Sequence, residues 1–154
     1  MRRLLILMIP VVLTGCVVVG PGILSPNPNL APTNGTIVSS GGFVHTVAVQ
    51  AGGPASASAV GASCIGEVSQ APNVNLDYRT LSGGPGIVPL AISTQAGADT
   101  TLVVQAPNGT WFCDDDGAGF PNARLVFNSP SPGVYHIWVG TFAGGTAPAT
   151  LRIN

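Results

Sequence analysis

From about residue 37 onward, short apolar runs alternate with Gly, Pro, Asn and Asp at intervals of about ten residues. That rhythm predicts many short strands joined by tight turns, and no segment carries a convincing helical periodicity. The clearest strand is Gly133-Val134-Tyr135-His136-Ile137-Trp138-Val139-Gly140. Alternation places Tyr135, Ile137 and Val139 on one face and Val134, His136 and Trp138 on the other. Further strands are predicted at 44–50, 74–79, 88–94, 100–105, 110–113, 123–128 and 149–153. Ala106-Pro107-Asn108-Gly109 separates two of them, and Asn-Gly is a strong hairpin turn. The stretch 51–62 is small and flexible in composition, and no internal repeat is present. Each amphipathic strand must bury one face, so two packed antiparallel sheets, an all-β sandwich over 37–154, are the expected fold.

The first 36 residues have a different texture. Arg2 and Arg3 precede an apolar stretch, 4–13, that closes in Leu13-Thr14-Gly15-Cys16. A basic start, a short apolar core and small residues at the cut mark a secretory signal peptide, here 1–15. The four closing residues resemble the lipobox of bacterial lipoproteins, which implies cleavage before Cys16 and a diacylglycerol on its thiol. At about ten residues, the apolar stretch is half of what a spanning helix needs. Acyl chains such as palmitate would then anchor the mature protein, firmly if there are two or more. Residues 16–36, rich in Pro and Asn, are expected to tether lipid to domain. Residue 17 is Val rather than Asp, which under the lipoprotein sorting rule points to the outer membrane.

Only 7% of residues are charged, and none is lysine. Loss of the two leading arginines takes the net charge from −1 to −3, leaving Arg79, Arg124 and Arg152 against six acids. No basic patch is available to neutralise phosphate backbones, so nucleic-acid binding is not expected. If Cys16 carries lipid, Cys64 and Cys113 remain, an even pair that most simply forms a disulfide in an oxidising compartment. A two-thiol metal site and a catalytic cysteine are the alternatives, and neither has a neighbouring histidine motif.

Several motifs together carry a family resemblance. Asp99-Thr100-Thr101-Leu102-Val103-Val104 is followed by Ala106-Pro107-Asn108-Gly109-Thr110-Trp111-Phe112-Cys113-Asp114-Asp115-Asp116, and later by 133–141, GVYHIWVGT. Upstream lie Cys64-Ile65-Gly66 and Ala71-Pro72-Asn73. In this order, over about 43–153, they resemble bacterial pre-peptidase C-terminal (PPC-like) domains. The resemblance implies a jelly-roll-like sandwich, calcium binding in some relatives, and binding of extracellular polymers such as collagen in others. Two departures qualify it. No peptidase domain accompanies these motifs, so aid to a protease in cis is not expected, and Asn73 stands where the family-like motif has a carboxylate.

Asp114-Asp115-Asp116-Gly117 is the only charge cluster. Adjacent carboxylates repel unless a cation or hydrogen bonds offset them, and hard oxygens in a loop suit calcium. Alternation lets at most two of the three converge, so Asp99 is the candidate partner, with Asn108 a weaker one. EF-hand spacing fails, because Leu125 stands where the closing glutamate would be. The competing reading is a solvated turn in which the carboxylates cap backbone amides. His45 and His136 are the only histidines, too few for a transition-metal site. No Gly-x-Ser-x-Gly elbow is present, and an enzyme is not expected. Trp111 and Trp138 are candidates for a binding platform, with core packing as the competing role; Trp111 is expected to lie over Cys113, with Phe112 on the opposite side.

The expected role is therefore a non-enzymatic, lipid-anchored envelope module that presents a sandwich to a protein or an extracellular polymer. The alternative is a structural lipoprotein that self-associates or serves as a subunit of a larger envelope complex.

Overall fold

The computed structural model describes residues 23–79 and 88–154. The signal segment, Cys16 and the start of the expected tether lie outside that range. The described residues build two sheets from eleven strands. The first contains β1 (Thr36–Ser39), β3 (Ala55–Ser56), β4 (Glu67–Val68), β5 (Val74–Tyr78), β7 (Thr100–Gln105), β8 (Trp111–Asp114) and β10 (Gly133–Thr141). The second runs in the order β2 (His45–Gly52), β11 (Thr146–Ile153), β6 (Leu90–Gln95), β9 (Arg124–Phe127). The architecture is the all-β, antiparallel-rich sandwich that the strand rhythm predicts. One pair departs from it: β1 runs parallel to β5, with Thr36 opposite Asn75 and Ser39 opposite Tyr78.

Strand β10 is the spine of the first sheet. Along one edge it pairs with β7 from His136 to Thr141. Along the other it pairs with β5 from Gly133 to Ile137, and Thr141 then meets Glu67 of β4. Asn73 bridges the gap between those two partners. Its N–H donates to the Ile137 carbonyl, its Oδ1 accepts the Val139 N–H at 2.7 Å, and its Nδ2 donates to the Gln50 carbonyl of the second sheet at 3.0 Å. An amide can accept and donate at once, and a carboxylate at this buried position would leave Gln50 unpaired. The Asn in the 71–73 motif thus has a structural cause.

The alternation in β10 is realised as expected. Tyr135, Ile137 and Val139 enter the inter-sheet core with Val49, Leu76, Ile92, Leu102, Val104, Leu151 and Ile153. Trp138 points the opposite way and is also fully buried, because the chain between β2 and β5 folds back over the outer face of the first sheet. That excursion holds β3, a single 3-10 turn (Ala57–Ala59) and β4. Composition makes this stretch look like a loose loop, yet Ala55, Ala57 and Val68 have no exposed surface. Small side chains let its backbone lie close against the sheet. A Cβ at Gly140 would collide with Thr101 Oγ1 and fall 2.7 Å from the Glu67 carbonyl, so a strand glycine is required where the cover crosses β10.

The tether also departs from expectation. Its second half is docked onto the domain by backbone hydrogen bonds: Asn27 N–H to Gln70 O, Thr33 N–H to Pro72 O, Asn34 N–H to Asn73 O, and Ser56 N–H to Leu24 O. Proline-rich chain cannot form its own ladder, but it can satisfy the backbone of a neighbouring segment.

Candidate functional site

Cys64, in the covering excursion, is joined to Cys113 of β8, with Cα atoms 5.2 Å apart and a sequence separation of 49. The bridge pins the cover to the sheet. Beneath it Trp111 and Trp138 pack with ring centroids 5.3 Å apart, alongside Val68 and Val103. Trp138 Nε1 donates to the Gln70 carbonyl, again in the cover. Trp138 is therefore core and not a surface platform, because a segment distant in sequence closes over it. Trp111 is half-buried beside the disulfide, and Phe112 faces the other way.

The acidic loop is built as a turn cap. One oxygen of Asp114, Oδ2, accepts the N–H of Gly117 and the N–H of Arg124, both at 2.7 Å. Those two bonds close the connection from β8 to β9. Asp116 is exposed, and desolvation followed by the charges of Asp115, Asp99 and Asp114 pushes its carboxyl up. Asp99 thus lies within electrostatic reach of the loop, as the sequence suggests. Yet no three Asp, Glu, His or Cys side chains converge on a common point among the described residues. Calcium takes six to eight oxygens, so the arrangement is that of a capped turn rather than an assembled calcium cage. Asn108 is likewise local: its Oδ1 accepts the Thr110 N–H in the hairpin, where Gly109 takes a φ of 84°.

His136 Nδ1 lies 2.9 Å from Asn75 Oδ1, its cross-strand neighbour, and burial lowers the imidazole's pKa. His45 opens β2, and its Nε2 is buried with no hydrogen-bond partner. Among the described residues neither ring is hydrogen-bonded to a serine, a cysteine or a carboxylate.

Two surface concavities escape a reading of the sequence. The first, of about 160 Å³, opens at the end of the sandwich beside the Asn108 turn, between Phe112, Phe127 and Tyr135. Phe127 makes edge contacts with both other rings, at 5.0 and 5.3 Å. Tyr135 donates its hydroxyl to the Ser131 carbonyl. The only sequence signal was the parity of Phe112, opposite to Trp111 and Cys113. The second, of about 290 Å³, lies on the outer face of the second sheet and is lined by Ser93, Ala118, Arg124, Arg152 and Asn154. Arg124 and Arg152 are 28 residues apart in sequence, and only strand register brings them together.

No protein-family model and no curated protein matches this chain.

Proposed function

We propose that this chain is a lipid-anchored, non-enzymatic module of the bacterial cell envelope, held to the outer membrane through Cys16, which presents its PPC-like sandwich to a protein or polymer partner. The observation that supports this most is the use to which its reactive groups are put. The cysteines cross-link the cover, Asp114 caps backbone amides and His136 is tied to an asparagine amide. What faces solvent is a braced scaffold with shallow clefts, and such scaffolds commonly carry recognition rather than turnover. The aromatic cleft at Phe112 and Phe127 is suited to flat, weakly polar groups, in keeping with a low surface charge.

Self-assembly through strand edges has less support. Among the described residues the longest open edge belongs to β2, and its Ala48 and Gln50 carbonyls are already capped by the Asn34 and Asn73 amides.

In-cell crosslinking, then mass spectrometry of what purifies with the lipidated protein, tests the proposal. A stoichiometric envelope partner or a bound polymer is the expected result. A ladder of self-crosslinks would replace it with the structural reading. Cys16→Ala should move the protein to the soluble fraction; continued tight membrane association would overturn the anchor.

A further inference from the structure

The bare face of the second sheet concentrates positive charge in a protein that has little of it. Strand parity fixes this. In β11, Leu151 and Ile153 enter the core and Arg152 points out; in β6, Leu90 and Ile92 enter and Ser93 points out; in β9, Leu125 and Phe127 pack inward and Arg124 points out. Register then sets Arg152 opposite Ser93, and Ser93 opposite Arg124. The three side chains form one row across three strands, with the arginine Cα atoms about 10 Å apart, two strand spacings. Guanidinium arms are long enough to lean together over the serine between them. Asn154 closes the rim, its backbone paired with Ala91.

Neither guanidinium is spent elsewhere. Among the described residues the one ion pair is Arg79 with Asp77, at 2.7 Å, on the other sheet. Glu67 and Asp77 belong to the first sheet, Asp114 at the end of β8 has turned Oδ2 to backbone amides, and none of Asp99, Asp115 and Asp116 forms an ion pair with either arginine.

We propose that Arg124 and Arg152, flanking Ser93, form a binding site for a phosphomonoester dianion. A phosphate monoester carries about −1.5 to −2 charges at neutral pH, which matches two guanidiniums better than a single carboxylate does. Each planar fork can take two of its oxygens, and the Ser93 hydroxyl lies between them to donate to a third. The proposal deepens the binding-module reading by naming a ligand class, and the two fail separately: loss of phosphate binding leaves the crosslinked partner untouched, and absence of a partner leaves the phosphate titration untouched.

The test is a titration of the full-length, ¹⁵N-labelled chain in nonionic detergent with inorganic phosphate, following the arginine Nε–H resonances. Arg124 and Arg152 should shift saturably with a common dissociation constant, while Arg79 stays still. R124Q and R152Q should each weaken binding roughly tenfold, with an unchanged dispersed amide spectrum showing that the fold is intact, and R79Q should have no effect. Shifts that stay linear in phosphate, or that persist in the double variant R124Q/R152Q, would overturn the site. Repeating the titration with monomeric dihexanoyl phosphatidate separates the sources. Tighter binding than to inorganic phosphate assigns the site to a lipid headgroup, and equal binding assigns it to free phosphate.

Discussion

The two sheets share one core but have opposite outer faces. The first is roofed: β3, the 3-10 turn and β4 lie over Trp138, and Cys64–Cys113 pins the roof down. The second is open to solvent, with Thr46, Ala48 and Gln50 of β2 exposed beside Arg152 and Arg124. The strands record this difference. In β7 the run Thr100 to Val104 is buried without a break, whereas β11 alternates, with Ala149, Leu151 and Ile153 buried and Pro148 and Arg152 exposed. A strand covered on both faces reads as a continuous apolar run, and one covered on a single face reads as alternation. The covered residues and the cross-link therefore brace the first sheet's outer face, while the second sheet's outer face stays accessible to solvent.

The largest effect should come from removing the pillar under the roof. Trp138→Ala is expected to cost about 3–5 kcal/mol, read as a lowered denaturation midpoint. A loss under about 1 kcal/mol would mean that the roof does not pack on the sheet. Reduction of Cys64–Cys113 should come next, at about 2–4 kcal/mol for a loop of this length, seen as a fall in Tm. An unchanged melt would show that the bridge is absent or bears no strain of unfolding.

His136 sits at the margin of the roofed face and offers a pH lever. Burial lowers its folded pKa below the ordinary 6.5, so the folded state binds fewer protons than the unfolded one. Its contribution is therefore present above about 6.5 and is lost as pH falls from there through the lower folded value. A stability profile from pH 8 to 5 should show a decline that His136→Gln reduces; identical profiles would remove the histidine from the account. The smallest effect belongs to the open face. Arg152→Gln should change stability by no more than about 0.5 kcal/mol, and a larger loss would mean that this face is structurally engaged.

Much of the core was legible because β10 alternates strictly. Tyr135, Ile137 and Val139 were separable from Trp138 by parity alone, and Phe112 from Trp111 and Cys113 in the same way. The Asn108-Gly109 hairpin was legible because its φ requirement and side-chain cap are local. Other elements were hidden. Strand β1 borrows its ladder from β5, so its Asn- and Gly-flanked sequence carries no strong strand signal of its own. Strands β3 and β4 are two residues each, too short for any period. The tryptophans were readable as aromatic, but whether an aromatic face meets water depends on what closes over it, and here residues 55–70 do.

The sequence by itself determined which residues turn inward along the longer alternating strands such as β10, and where the Asn108-Gly109 hairpin folds, because these follow from period and local backbone preference. Tertiary structure alone decided that the outer face of one sheet is sealed and the other open. It decided that Asp114 spends its charge on amides, and that Arg124 and Arg152 become neighbours across Ser93. Those outcomes rest on strand register and long-range packing, which join residues that no short stretch of chain relates.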